Sequence, residues 1–199
     1  MSSPKTEGLV IFAINEKVSA QLGVLAPLIG YASIAISILL SPWFRWETNA
    51  LSDLGHSVRS GVAPIYNGGL LLAGFLLLQY SVGGLNRYAK WTSYFLTISA
   101  FALQLVATFD EVYGLPHFLA SVFFFSLTPA SLSYALEKRS LLAASGLALG
   151  FVSWLLYWAK MYSAGVAVPE ALSTLAVFPW LLSSAVKTHH WKRGESGHL

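Results

Sequence analysis

Long stretches without Asp, Glu, Lys or Arg recur along this chain and constrain its fold more than any other feature. They cover residues 18–44, 60–86, 91–109, 112–136 and 140–159. A helix of about 20 residues spans about 30 Å of hydrocarbon, so each stretch is long enough to cross a bilayer. A further stretch, from Val168 to Val186, is interrupted only by Glu170 near its start. The pattern predicts six membrane-spanning helices.

The composition excludes an ordinary soluble protein. Charged residues make up 11% of the chain and apolar residues 55%, whereas soluble domains are about 25% charged. We therefore predict an all-α, polytopic membrane protein whose residues 1–199 form a single membrane domain, a six-transmembrane-helix bundle. Because basic residues of a membrane protein report topology first, the net charge of +3 predicts no nucleic-acid partner. The absence of cysteine excludes disulfides and cysteine nucleophiles.

The predicted helices cover residues 20–41, 63–83, 90–109, 116–136, 140–160 and 168–187, and an outer loop covers residues 42–61. This loop is longer than most connections, and long loops are often functional. Pro129 and Pro179 lie inside predicted helices and predict kinks. Gly146 and Gly150, spaced four apart, predict close packing against a neighbouring helix.

The basic residues predict the orientation. With the N-terminus in the cytoplasm, the inner segments carry Lys5, Lys17, Arg87, Lys90, Lys138, Arg139, Lys187, Lys192 and Arg193, and the outer segments carry Arg45, Arg59 and Lys160. An excess of Lys and Arg marks cytoplasmic segments. We therefore expect both termini in the cytoplasm, a multi-pass protein of the cell (cytoplasmic) membrane, and membrane lipids as its partners.

A first polar cluster lies in the outer loop and contains Asn49, Ser52, Asp53, Gly55 and His56. If this segment is helical, Ser52, Asp53 and His56 share one face. Such a face can bind a metal or hold an imidazole oriented by a carboxylate. The alternative is that Asn49 or Ser52 caps a short helix, with Asp53 in its first turn and Gly55 at its end.

A second cluster lies between the third and fourth predicted helices, where Asp110 and His117 stand near the membrane boundary. A charged side chain at that depth is energetically costly unless it is paired with another group or has a function. Together with the first cluster it predicts a metal site for zinc or another divalent ion, formed by His56, His117 and Asp110. The predicted catalytic set is Asp53, His56, Asp110, His117 and Ser52. The alternative is an interfacial turn formed by Asp110 and Glu111, with Pro116 starting the next helix.

The outer arginines suggest a phosphate ligand, because a guanidinium group binds phosphate through two parallel hydrogen bonds. The predicted substrate-binding residues are Arg45, Arg59, Asn49 and Asn67. Two alternatives stay open. The arginines can reach lipid phosphates without specificity, and Asn67 can serve a hydrogen bond between helices.

The stretch Asn49-Ala-Leu-Ser-Asp-Leu-Gly55, with Asn67-Gly68, Gly74 and a later His117 before a Phe-rich run, resembles the DUF998 family of six-helix prokaryotic membrane proteins. The resemblance covers most of the first four predicted helices, and the last two agree only in hydropathy. It implies a six-helix bundle and no assigned activity.

Ser52-x-x-x-His56 is also similar to an element of the ceramidase and adiponectin-receptor superfamily, whose members are zinc-dependent lipid amide hydrolases. Those enzymes complete the metal site with a His-x-x-x-His pair on the last helix, and the sixth predicted helix here has none. Two functions follow as hypotheses. The first is a metal-dependent lipid hydrolase or a lipid-headgroup-binding protein. The alternative is a non-enzymatic membrane subunit or a small transporter.

Overall fold

The computed structural model of the protein describes residues 15–195, with the side chains of Glu16 and of residues 191–195 excepted. Lys5, which entered the prediction of orientation, lies outside this range, and so do the side chains of Lys192 and Arg193. The orientation of the two termini therefore stays a prediction.

The described part of the chain is helical and contains no strand. Its helices of ten or more residues are α1 (Glu16–Leu39), α2 (Ala63–Tyr80), α3 (Lys90–Thr108), α4 (Leu115–Phe124), α5 (Leu127–Lys138), α6 (Leu141–Trp158) and α7 (Ala167–Glu195). Among residues 15–195, six segments are long and apolar enough to cross a membrane, with α4 and α5 together forming the fourth. The predicted all-α, six-helix membrane bundle is confirmed.

The ends of the helices differ from the predicted bounds for local reasons. α1 begins at Glu16 because the Asn15 carboxamide caps it, accepting a hydrogen bond from the Lys17 backbone N–H at 3.0 Å. α2 ends at Tyr80 and continues as a π-helical turn, Ser81–Leu85. At the other end of the chain, α7 extends to Glu195, eight residues beyond the predicted end at 187.

The fourth span breaks where a proline predicted a kink. α4 ends at Phe124 and α5 begins at Leu127, just before Pro129. The ring of a proline clashes with the carbonyl four residues earlier, which is that of Phe125. That carbonyl accepts a hydrogen bond from the Thr128 N–H at 2.9 Å instead. α7, by contrast, runs through Pro179 without a break.

The six spans form a closed ring. Each span packs against its neighbour in the chain, and α7 returns to pack against α1. The contact of α6 with α7 is close: a Cβ added at Gly146 would overlap the backbone oxygen of Ala176, and one at Gly150 would lie 3.4 Å from the Ser173 Cβ. The close packing predicted for these two glycines is confirmed.

Two buried clusters fill the ring. One lies toward the end with short turns, where the fully buried Tyr134 and Trp180 rings stack with centroids 5.0 Å apart. The other lies at the opposite end, which we call the loop-rich end because segments 40–62, 109–114 and 159–166 meet there. In this second cluster Leu51 and Leu54 of the long loop pack among residues of α2, α3 and α7. The loop therefore closes this end of the ring.

Candidate functional site

A short 3-10 helix, Leu51–Gly55, positions the candidate site. Leu51 and Leu54 are three residues apart, so a helix with about three residues per turn stacks both on one side. Both are buried. The predicted shared face of Ser52, Asp53 and His56 needs correction, because the helix ends at Gly55 and His56 follows it in extended backbone.

A cleft of about 240 Å³ opens beside this turn and is lined by Trp43, Asn49, Asp53, His56 and Arg59. The last four were predicted as site residues from the sequence. Trp43 was not, although a tryptophan directly after a proline at a predicted membrane boundary is typical of an interfacial residue. The cleft thus combines a carboxylate, an imidazole, a guanidinium, a carboxamide and an indole.

Asp53 is held in place from one side. Its Oδ2 accepts hydrogen bonds from Asn49 Nδ2 at 2.7 Å and from the Ala50 N–H at 3.0 Å, while Asn49 Oδ1 accepts one from the Arg45 N–H at 2.9 Å. Asp53 lies in the first turn and Gly55 at its end, as the capping alternative predicted, but the cap itself was predicted wrongly: Ala50 is the N-cap residue, and neither Asn49 nor Ser52 caps the helix. Among the described residues, no ion pair joins Asp53 to Arg59.

His56 lines the cleft, and the next residue, Ser57, is bonded to Asp110. The Nδ1 of His56 is shielded from solvent and has no hydrogen-bond partner among residues 15–195. Asp110 is 6% exposed and accepts hydrogen bonds from the Ser57 N–H at 3.1 Å and the Val112 N–H at 2.9 Å. Burial acts to raise the pKa of Asp110, but hydrogen bonding from the Ser57 side chain, these two backbone hydrogen bonds and the charge of His56 outweigh it and hold that pKa below its usual value.

Two further carboxylates attach the turn to other parts of the ring. Ser52 Oγ donates to Glu111 Oε1 at 2.5 Å, and the Leu51 N–H donates to Glu170 Oε2 at 2.8 Å. Ser52 thereby binds the connection between α3 and α4, and its predicted catalytic role stays a prediction. Glu170 was missed as a site residue. The sequence feature that could have identified Glu170 is an acidic residue within an otherwise apolar stretch.

The other predicted residues serve hydrogen bonds within the protein. Asn67 Nδ2 donates to the Gly55 carbonyl at 2.7 Å. His117 Nδ1 lies 2.8 Å from the Phe109 carbonyl, so this nitrogen carries the proton and donates. Neither residue lines the cleft, and neither does the exposed Arg45. Their roles in substrate binding or catalysis stay predictions.

The metal site predicted at His56, His117 and Asp110 finds no geometric support. Across residues 15–195, no three His, Asp or Glu side chains are grouped closely enough to hold a metal ion. Asp110 accepts hydrogen bonds from backbone N–H groups, while His117 bonds to a backbone carbonyl.

A comparison with protein families matches residues 24–187 to a family described as "Protein of unknown function (DUF998)". The chain belongs to the DUF998 family. The match includes α6, most of α7 and every residue that lines the cleft. Comparisons with curated proteins and with solved structures found no similar protein. Membership of DUF998 assigns no activity to the chain.

Proposed function

We propose that this DUF998 protein binds the phosphate-bearing headgroup of a membrane lipid in the cleft at its loop-rich end. The observation that carries the proposal is that Arg59 and His56 line one cleft while Arg59 forms no ion pair among the described residues. An unpaired guanidinium group is a strong donor to phosphate oxygens. The His56 imidazole can donate a second hydrogen bond to the phosphate through a ring N–H.

The surroundings of the cleft favour a lipid over a soluble anion. α1 ends beside it, and there Leu39 and Leu40 are 81% and 57% exposed. Val58, on the same loop as Arg59, is 77% exposed, and the Trp43 ring lines the cleft. Tryptophan prefers the boundary between headgroups and hydrocarbon. A headgroup bound here has room for its acyl chains along the exposed end of α1, and the positive-inside pattern supports an outward-facing cleft.

A hydrolase that acts on the bound lipid is the second candidate. It is favoured by the position of His56, which lines the cleft with Asp110 beside it. A neutral imidazole can take a proton from an attacking water molecule, and a nearby carboxylate stabilises the imidazolium that results. Turnover of the bound lipid, lost on His56→Gln and kept on His190→Gln, would support this candidate. Binding without turnover would support headgroup binding alone.

The proposal can be tested by titrating short-chain lipids into the purified full chain in detergent and measuring the heat of binding by calorimetry. The probes are dihexanoyl phosphatidylethanolamine, dihexanoyl phosphatidylglycerol and, without phosphate, dihexanoylglycerol. We expect saturable binding of the phosphate-bearing lipids only. Arg59→Gln should weaken it about tenfold, the effect of losing one exposed charge-assisted hydrogen bond. Arg139→Gln changes an exposed arginine at the opposite end and should leave binding unchanged.

Three results would overturn the proposal. The first is equal binding of dihexanoylglycerol, and the second is equal weakening by the two arginine variants. The third is inorganic phosphate that competes as well as the lipids do, which would assign the cleft to a soluble anion. Any of them would favour a non-enzymatic membrane subunit or a small transporter.

A further inference from the structure

The cleft presents charges of both signs that do not pair with each other. Asp53 and Arg59 both line it, yet no ion pair joins them in the part of the chain that the structure describes. The hydrogen bonds that hold Asp53 all reach Oδ2, from Asn49 and Ala50. The second carboxylate oxygen, Oδ1, is therefore kept in a defined position and has no donor among residues 15–195. A ligand group that meets it gains from this preorganisation.

The charged groups call for a ligand that carries a cation as well as a phosphate. An ammonium group can bind the Asp53 carboxylate and lie against the ring of Trp43, which lines the same cleft. The size agrees with such a ligand. A cavity of about 150 Å³ admits benzene, so the cleft of about 240 Å³ has room for about eight to ten non-hydrogen atoms. A phosphoethanolamine group has about eight.

We propose that the cleft recognises a zwitterionic phospholipid headgroup, with its phosphate at Arg59 and His56 and its amine at Asp53 and Trp43. This inference rests on the proposed headgroup binding and adds its specificity. An anionic phospholipid offers no cation to Asp53 and brings its own negative charge near that carboxylate. The protein should therefore prefer an ethanolamine phospholipid to a phosphatidylglycerol.

The experiment compares dihexanoyl phosphatidylethanolamine with dihexanoyl phosphatidylglycerol on the full chain. The wild-type protein should bind the first about tenfold more tightly. Asp53→Asn keeps an oxygen for the bonds from Asn49 and Ala50 but removes the charge. It should weaken ethanolamine-lipid binding about tenfold and leave glycerol-lipid binding unchanged or tighter. Glu47→Gln, at an exposed acid of the same loop outside the cleft, should keep the wild-type preference.

A second probe tests the same point without changing the protein. Acetylation of the ethanolamine nitrogen removes its charge, and the N-acetyl lipid should bind the wild-type protein about tenfold more weakly. This arm holds even if Asp53→Asn fails to fold.

The outcomes separate the two proposals. Suppose that the wild-type protein binds both phospholipids and the N-acetyl lipid equally, while Arg59→Gln still weakens all three. The zwitterionic specificity is then wrong and headgroup binding stands. Suppose instead that neither phospholipid binds better than dihexanoylglycerol. Headgroup binding itself then fails.

Discussion

Replacing Leu54 with alanine tests whether the Leu51–Gly55 turn depends on its buried leucines. The Leu54 side chain is fully buried and belongs to a cluster that includes Tyr66 of α2, Ala107 of α3 and Ala167 of α7. The turn also carries Asp53 and leads directly into His56, so its position determines the geometry of the cleft. If Leu54 secures the turn, its truncation should loosen this segment first.

The expected cost follows from the buried volume. The three side-chain carbons lost from leucine, Cγ and the two Cδ methyls, contribute about 0.8 kcal/mol each, or about 2.4 kcal/mol together. A residual cavity adds to this, and such truncations commonly cost about 2.7–5.0 kcal/mol. We take about 3 kcal/mol for Leu54, since a loop at the end of the ring can relax into part of the cavity. At about 1.4 kcal/mol per factor of ten, the turn should open about a hundredfold more often.

Hydrogen–deuterium exchange with mass spectrometry can measure this opening on a peptide that covers residues 51–57. The His56 N–H, for example, donates to the Asp53 carbonyl at 3.3 Å and exchanges when the turn opens. The matched control is Val58→Ala, a truncation on the same loop at a side chain that is 77% exposed. It should leave the exchange unchanged. Equal exchange in the two variants would refute the reasoning, because the turn would then hold without its buried leucine.

Two further predictions concern stability. Gly146→Ala should lower the melting temperature in detergent, because the added Cβ would overlap the Ala176 carbonyl oxygen. The control is Gly68→Ala, whose added Cβ meets no atom within 4 Å and should leave that temperature unchanged or raise it. Equal shifts in the two variants would contradict the close α6–α7 packing. For Asp110, a pKa lowered in the folded state means that the carboxylate stabilises the fold fully above about pH 4 and loses that effect as the pH falls through the lowered pKa. The wild type should therefore lose its advantage in free energy of unfolding over Asp110→Asn on acidification, as measured by denaturant titrations at several pH values. A difference between the two proteins that does not change with pH would contradict the lowered pKa of Asp110.

The six spans were predictable because hydrocarbon excludes charge and forces the backbone to satisfy its own hydrogen bonds. Both constraints act along a short piece of chain, so each span can be recognised from its own residues. The proline rule is local too, since the clash involves residues four apart, but its outcome differed: the fourth span breaks before Pro129, whereas α7 runs through Pro179 unbroken. The ends of α1 and α7 were not predictable from the sequence, because a single cap or a continued polar turn moves a helix end by several residues.

The candidate site was predictable only in part. Asn49, Asp53, His56 and Arg59 were identified among the polar residues of one unusually long loop, and all four line the cleft. The predicted grouping of His56 with His117 did not rest on one loop. It joined residues 61 positions apart, and nothing in local spacing specifies such a distance.

The sequence alone specifies an all-α membrane bundle with six spans and a polar loop at one end. Tertiary structure decides how that loop is folded, through bonds between residues far apart in the chain: Leu51 with Glu170, Ser52 with Glu111, and the Gly165 N–H with the Trp46 carbonyl at 2.8 Å. Hydropathy and helical spacing depend on neighbours in the chain. The cleft depends on which distant side chains reach the same turn, and only the closed ring of helices brings them there.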